Sequence, residues 1–122
     1  MSITRKNIPE GMRDMIEAEN RPVKVLGENL VSMYENAGYM NVVTPTLEYF
    51  DVFNFDNQTI PEENMFKLTD KSGRLVVLRP DNTTPMARIA ATRFKNAVLP
   101  IKLCYNQNVF RMSGRMPMRS VR

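Results

Sequence analysis

Apolar side chains recur at intervals of three and four residues in the segment 22–37, the spacing of one face of an α-helix. The residues on this face are Val23, Leu26, Leu30, Met33, Tyr34 and Ala37. Gly38 comes next, and a glycine there can adopt the left-handed conformation that closes a helix. The following apolar stretch, residues 39–43, predicts a short strand that ends at Thr44 and Pro45.

Two apolar runs in the middle of the chain, residues 65–70 and 74–79, are joined by a short polar segment that contains Gly73. This arrangement predicts a β-hairpin. Residues 54–64, which precede the hairpin, are polar and have no period, so they predict a loop. Farther along, residues 101–110 alternate imperfectly between apolar and polar side chains, which predicts one strand.

The segment 78–93 predicts a strand, a tight loop and a helix in succession, because its apolar run is broken by a proline and helical spacing resumes after Pro85, up to residue 96. Asp81 and the hydroxyls of Thr83 and Thr84 fall on the loop, a common place for a small-molecule site. Thr84 before Pro85 is also a good helix N-cap followed by proline at the first helical position. The loop is therefore either a ligand site or a helix cap.

The composition is that of an ordinary globular domain or part of one, with 122 residues, 43% hydrophobic and 25% charged. We expect a cytoplasmic protein without membrane association, because no apolar run of about 18 residues and no leader pattern is present. A single cysteine and no histidine exclude an internal disulfide, Cys–His and Ser–His catalysis and a histidine metal site. We expect no metal, and we expect Cys104 to be a small buried hydrophobe.

The net charge of +4 is confined to one end of the chain. Residues 111–122 contain four arginines and no acid, whereas residues 1–110 contain thirteen basic and thirteen acidic side chains. A chain that is otherwise neutral does not support a broad face for nucleic acid. The arginine-rich tail is therefore either a local anion site or a solvated end.

Residues 65–93 resemble the catalytic core of the histidyl-tRNA synthetase-like class II synthetases. In the synthetases the loop usually reads Leu-Arg-Pro-Glu-Gly-Thr, whereas here Asp81 replaces the glutamate and the chain continues Thr-Thr-Pro-Met-Ala-Arg. This wording is similar to the synthetase paralogues that serve as regulatory subunits of ATP phosphoribosyltransferase. Residues 8–14 resemble the Pro-x-Gly-x-Arg-Asp opening that both groups share.

Two further segments resemble motifs of class II synthetases. Residues 38–53 are similar to the first motif, whose proline lies at the dimer interface and matches Pro45. Residues 101–111 are similar to the start of the second motif, whose arginine matches Arg111. Residues 112–122 lack the acidic residue and the Gly-Arg-x-Arg-Glu-Phe-x-Gln run that usually follow, and the third motif is absent. The resemblance therefore implies that residues 1–122 are the N-terminal part of such a domain.

The resemblance implies an α+β fold with an antiparallel sheet flanked by helices, incomplete in this chain, so we expect open strand edges and self-association. It also implies a non-catalytic regulatory subunit of histidine biosynthesis, with histidine as its regulatory ligand and no cofactor. Asp81 would pair with the histidine ammonium, Thr83 would add a hydrogen bond, and Arg111 would face the carboxylate. The implied partner is a separate short-form catalytic subunit, in a hetero-oligomer that contains a homodimer.

Two alternatives belong to other functional classes. The first is histidyl-tRNA synthetase or a part of it, which would use ATP and Mg²⁺ to charge tRNA. Against it stand Asp81, the Thr-Thr-Pro-Met-Ala-Arg continuation and the missing second-motif residues, so we expect no catalysis by these residues alone. The second alternative is a dimerisation module with an intact fold and no affinity for histidine.

Overall fold

The computed structural model of the chain describes residues 7–54 and 60–112, together with the backbone of residues 119–121. Its helices and strands, in chain order, are α1 (Glu17–Asn36), β1 (Met40–Asn41), β2 (Leu47–Tyr49), β3 (Lys67–Thr69), β4 (Leu75–Leu78), α2 (Thr83–Thr92), β5 (Leu103–Cys104), β6 (Val109–Arg111) and β7 (Arg119–Val121). Short 3-10 turns cover Phe50–Val52 and Glu62–Asn64. Helices and mostly antiparallel strand pairs agree with the predicted α+β class.

A three-stranded antiparallel sheet, in the order β2–β4–β3, forms the centre of the described residues. β3 and β4 form the predicted hairpin. Gly73 lies in its turn with φ +81°, a backbone conformation that is strained for residues with a side chain. Val77, in the middle of β4, is completely buried. It belongs to a core cluster with Phe53, Ile60 and Met65.

Helix α1 confirms the predicted period but not its predicted start. It begins at Glu17 rather than at residue 22, and Pro22 lies inside it. Pro22 is tolerated because it removes a single hydrogen bond close to the helix N-terminus, where the backbone is exposed. The helix ends at Asn36, and Gly38 adopts the predicted left-handed conformation, with φ +94°.

The apolar face of α1 is not buried by the described residues. Four of its side chains keep between 46% and 66% of their surface exposed: Leu26, Leu30, Met33 and Tyr34. The helix contacts the small parallel pair that β1 forms with β5, and this pair is too narrow to cover the whole face. The spacing of apolar residues thus predicted the helix correctly, but whether its apolar face is buried depends on the elements that pack against the helix.

The prediction of one strand over residues 101–110 is wrong, because the structure has two. β5 pairs with β1, β6 pairs with β7, and residues 105–108 between them leave the ladder. Side chains of another segment, rather than a neighbouring strand, bind two backbone carbonyls of residues 105–108. Cys104, in β5, is buried as predicted and unpaired.

Helix α2 begins at Thr83 with Asn82 as its N-cap residue, so the prediction of a Thr84 cap followed by Pro85 at the first helical position is wrong. The cause is the carboxylate of Asp81, which accepts a hydrogen bond from the Thr84 backbone N–H and shifts the helix start towards the loop. The helix also ends at Thr92, before the predicted residue 96. Most of the arginine-rich tail lies outside the described residues, apart from the backbone of β7.

Candidate ligand-binding site

The loop between β4 and α2 is fastened to its surroundings through its backbone. The N–H of Arg79 donates to the carbonyl of Thr46 at 3.0 Å, and the carbonyl of Arg79 accepts from the N–H of Phe110 at 3.0 Å. Pro80, the next residue, is fully buried. The loop is therefore held between the segment before β2 on one side and β6 on the other.

The guanidinium of Arg79 ties the same three segments together from the inside. Its Nε donates to the carbonyl of Asn108 at 2.6 Å, and its Nη1 donates to the carbonyl of Thr44 at 3.3 Å. Burial lowers the pKa of Arg79 from its ordinary value, while the negative charge of Glu48 acts in the opposite direction. An arginine keeps its proton under all ordinary conditions, so this buried side chain remains a cation and a hydrogen-bond donor to both segments.

Arg111 is the predicted site residue that the structure attaches most directly to the loop. Its Nε donates to the carbonyl of Pro80 at 2.7 Å, and this carbonyl belongs to the peptide bond that leads into Asp81. The side chain is otherwise exposed, and it makes no ion pair within residues 7–54 and 60–112. The structure therefore brings the guanidinium of Arg111 and the Asp81 segment together, with cationic N–H groups left for an anion.

Asp81 is half-buried and serves as a helix cap. Its Oδ1 accepts from the Thr84 N–H at 2.9 Å, and its Oδ2 lies 3.4 Å from the Thr84 hydroxyl. An ionised carboxylate offers about four lone-pair positions, so these contacts leave acceptor capacity for a ligand cation. Thr83, the third predicted binding residue, is exposed at the first position of α2. The cap and the ligand site, posed as alternatives by the sequence, are compatible in this geometry.

A partly buried ion pair that sequence reasoning missed joins α2 to the central sheet. Arg88 Nε donates to Glu48 Oε1 at 2.7 Å and its Nη2 donates to Oε2 at 3.2 Å, a two-pronged contact. The Glu48 side chain is only 4% exposed. The two residues are forty positions apart, and nothing in the local pattern of either segment pairs them.

A second group that sequence reasoning missed consists of three buried polar side chains next to the loop: Thr44, Asn82 and Gln107. They hydrogen-bond to one another and to the backbone at distances between 2.7 and 3.1 Å. Asn82 stands directly between two predicted ligand residues, and this adjacency is the sequence signal that could have drawn attention to it.

Pro45, the predicted dimer-interface residue, is exposed at the edge of a depression of about 480 Å³. Leu47 and Tyr49, its neighbours on β2, line the same depression and are also exposed. The prediction that Pro45 lies in an interface stays a prediction. In the described part of the chain, no helix is long and apolar enough to cross a membrane, and no cluster of carboxylates and thiols is arranged to hold a metal ion.

The chain is similar to known proteins in sequence and in structure. The family model for histidyl-tRNA synthetase matches residues 11–122. An ATP phosphoribosyltransferase regulatory subunit from Clostridium acetobutylicum is 51% identical over 110 residues, which cover 89% of this chain and 27% of that protein. The crystal structure of an ATP phosphoribosyltransferase regulatory subunit/histidyl-tRNA synthetase from Bacillus halodurans matches with a TM-score of 0.79 at 35% identity, covering 90% of this chain and 29% of that one.

The structure of the apo histidyl-tRNA synthetase from S. aureus matches with a TM-score of 0.71 at 27% identity, covering 85% of this chain and 25% of that one. The chain thus spans between a quarter and a third of the length of these three proteins. The similarities confirm the predicted fold class and the resemblance to synthetases and regulatory subunits. With a family model that matches nearly its whole length, the chain belongs to the histidyl-tRNA synthetase family.

Proposed function

We propose that this chain is the N-terminal part of a non-catalytic regulatory subunit of ATP phosphoribosyltransferase, which binds histidine and activates a separate short-form catalytic subunit. The branch of the family is supported by the regulatory subunit from C. acetobutylicum, which is 51% identical. It is also supported by Asp81 and by the Thr-Thr-Pro-Met-Ala-Arg continuation of the loop. Cytoplasmic location, a homodimer that includes Pro45 and assembly with the catalytic subunit belong to the same proposal.

The observation that carries the ligand assignment is the 2.7 Å hydrogen bond from Arg111 to the carbonyl of Pro80. It holds a cationic side chain beside the segment that bears the Asp81 carboxylate. An α-amino acid carries one ammonium and one carboxylate on neighbouring atoms, so it needs a fixed anion and a fixed cation close together. Asp81 would accept from the ammonium, Arg111 would donate to the carboxylate, and the exposed hydroxyl of Thr83 would add a hydrogen bond.

We further infer that three segments build the domain around this site: residues 38–53 as the first motif, residues 78–88 as the histidine loop and residues 101–111 as the start of the second motif. The polar contacts of Arg79 support this division, because its backbone and guanidinium bind residues of both flanking segments. No catalytic residue is assigned, since adenylate chemistry needs more than one arginine around ATP.

The first test measures ATP phosphoribosyltransferase activity of a short-form catalytic subunit with and without the native-length protein. We expect activation by the native-length protein, and we expect added histidine to suppress it. No activation of the catalytic subunit at any ratio of the two proteins would contradict the proposal.

Asp81→Asn is the variant that separates ligand binding from helix capping. Asparagine caps a helix as well as aspartate does, and its Oδ1 can still accept from the Thr84 N–H, so the fold should be retained. The charge that would meet the ammonium is lost, and a charge-assisted hydrogen bond contributes about 1.5–3 kcal/mol. We therefore expect histidine affinity to fall by roughly tenfold or more in a calorimetric titration.

Asp70→Asn is the matched control, because Asp70 also accepts backbone N–H groups in a turn, those of Ser72 and Arg74, but lies in the hairpin. We expect unchanged histidine affinity for this control. Equal affinities of Asp81→Asn and wild type would refute the role given to Asp81.

Histidyl-tRNA synthetase is the second candidate, because the family model and the S. aureus structure both carry that name. Assaying the same preparation of the native-length protein for tRNA charging decides between the regulatory subunit and the synthetase. Charging of tRNA with histidine, combined with no effect on the catalytic subunit, would assign the native-length protein to the synthetase branch. A dimerisation module would instead be folded and dimeric and would bind no histidine.

A further inference from the structure

The amide groups of Asn82 and Gln107 form a reciprocal pair in the protein interior. Gln107 Nε2 donates to Asn82 Oδ1 at 2.9 Å, and Asn82 Nδ2 donates to the backbone carbonyl of Gln107 at 3.1 Å. Gln107 Nε2 also donates to Thr44 Oγ1 at 3.0 Å, and its Oε1 accepts from the Thr44 N–H at 2.7 Å. The contacts to Asn82 Oδ1 and Thr44 Oγ1 use both Nε2 hydrogens of Gln107.

The direction of every bond in this network is set by the backbone. The Thr44 N–H is an obligatory donor, so the Gln107 amide must present its oxygen there and its nitrogen to Asn82. Asn82 must then present its oxygen to that nitrogen, which leaves its own NH₂ for the Gln107 carbonyl. If the Asn82 amide were flipped, its NH₂ would face the Gln107 NH₂ and its oxygen would face the Gln107 carbonyl oxygen. The observed arrangement is therefore strongly favoured.

The network joins the two segments that carry the groups assigned to the ligand. Asn82 is flanked in sequence by Asp81 and Thr83, while Gln107 precedes Arg111 on the segment that leads into β6. Asn82, Gln107 and Thr44 are at most 8% exposed, so their hydrogen bonds are shielded from water. The locked pair of amides therefore acts together with the Arg79–Phe110 backbone bond in fixing how far apart the loop and β6 stand.

We propose that Gln107 is a positioning residue for histidine binding, which acts through Asn82 to set the separation of Asp81 and Arg111. This inference rests on the proposed function, since it assumes the ligand assigned there. Gln107 itself would not touch the ligand, because its amide is used up by the protein.

The test is a calorimetric titration of the native-length protein with histidine. Gln107→Glu keeps the shape of the side chain but replaces the NH₂ donor by a carboxylate oxygen, which then opposes Asn82 Oδ1, whereas the Thr44 hydroxyl can turn to donate to it. Two acceptors that face each other should push the loop and β6 apart, so we expect histidine affinity to fall roughly tenfold. Asn106→Asp is the matched control, because it adds the same charge one residue away on an exposed side chain, and its effect should stay within about twofold.

A double-mutant cycle with Asp81→Asn separates positioning from a general loss of stability. If Gln107 acts by placing Asp81, Gln107→Glu should cost less than about threefold once the Asp81 charge has been removed. A general structural effect would multiply with the Asp81→Asn loss instead. Should Gln107→Glu fail to fold, Thr44→Val removes one acceptor of the network with little change in volume, and it should show a roughly fivefold loss with the same non-additivity.

The possible outcomes are distinct. Loss of affinity in Gln107→Glu that largely disappears in the Asp81→Asn background supports the inference. Wild-type affinity in Gln107→Glu, or losses that multiply, overturn the inference and leave histidine binding by the wild type intact. A wild-type protein that neither binds histidine nor responds to it in the activation assay overturns the proposed function, and this inference falls with it.

Discussion

Removing Arg88 should strongly destabilise the fold, because the buried carboxylate of Glu48 would lose its hydrogen-bonded ion-pair partner and keep only the electrostatic interaction with Arg79. Breaking a buried ion pair from one side costs about 3–5 kcal/mol. The Arg88 side chain is 32% exposed, whereas that of Glu48 is 4% exposed. Water can therefore reach one end of the pair, and we expect Arg88→Met to lower the free energy of unfolding by about 3 kcal/mol, the low end of this range.

The double variant Glu48→Leu/Arg88→Met should be much less destabilised than Arg88→Met, since two apolar side chains of similar size leave no buried charge. Both free energies of unfolding are measured by urea denaturation of the native-length protein, followed by circular dichroism. Arg21→Met is the matched control, because Arg21 pairs with Glu17 on α1 and both side chains are 71% exposed. We expect it to cost less than about 1 kcal/mol.

The reasoning would be refuted if Arg88→Met were as mild as the Arg21→Met control. It would also be refuted if Glu48→Leu/Arg88→Met were destabilised as much as Arg88→Met alone. Either result would mean that water solvates Glu48 in the folded protein or that α2 is not anchored through this pair.

Three smaller predictions concern α1, the glycine that follows it and the ligand site. Gly38→Ala should cost about 1 kcal/mol of unfolding free energy, because Gly38 has φ +94°; an unchanged urea midpoint would contradict this. Gly27→Ala should instead be neutral or stabilising by up to about 1 kcal/mol, because its Cβ would meet only the exposed Asn106 amide, at 2.5 Å, which can rotate away; a clear loss would contradict this. Arg111→Lys should weaken histidine binding several-fold, because lysine keeps the charge but cannot bind the Pro80 carbonyl and at the same time make two hydrogen bonds to a carboxylate; equal affinity in calorimetry would count against the site.

Local patterns succeeded wherever a short segment contains the physical cause of its own structure. The hairpin of β3 and β4 follows from two apolar runs and Gly73, whose positive φ is used in the turn. The period of α1 and its end at Gly38 are equally local. Asp81, Thr83 and Arg111 were chosen from motif wording, and their roles as histidine ligands stay predictions, although the structure does attach Arg111 to the loop.

Local patterns failed where a distant segment supplies the hydrogen-bond partner. Residues 101–110 look like one strand, but Arg79 and Asn82 bind the carbonyls of Asn108 and Gln107 and divide it in two. The start of α2 moved for a local reason instead: the Asp81 carboxylate, three residues before Thr84, accepts from the Thr84 N–H, which has no backbone partner in the first turn of a helix.

Residue order alone was enough for the class of the fold, the family and the position of the loop, since these depend on period, turn chemistry and motif wording. Tertiary structure was needed to find Glu48 with Arg88, and Gln107 with Thr44 and Asn82. Members of these groups are forty, sixty-three and twenty-five positions apart, and each becomes a partner only when burial removes competing water. In an unfolded chain, water makes the hydrogen bonds of every polar side chain. Only the folded structure shows which polar side chains are buried and must therefore hydrogen-bond to one another.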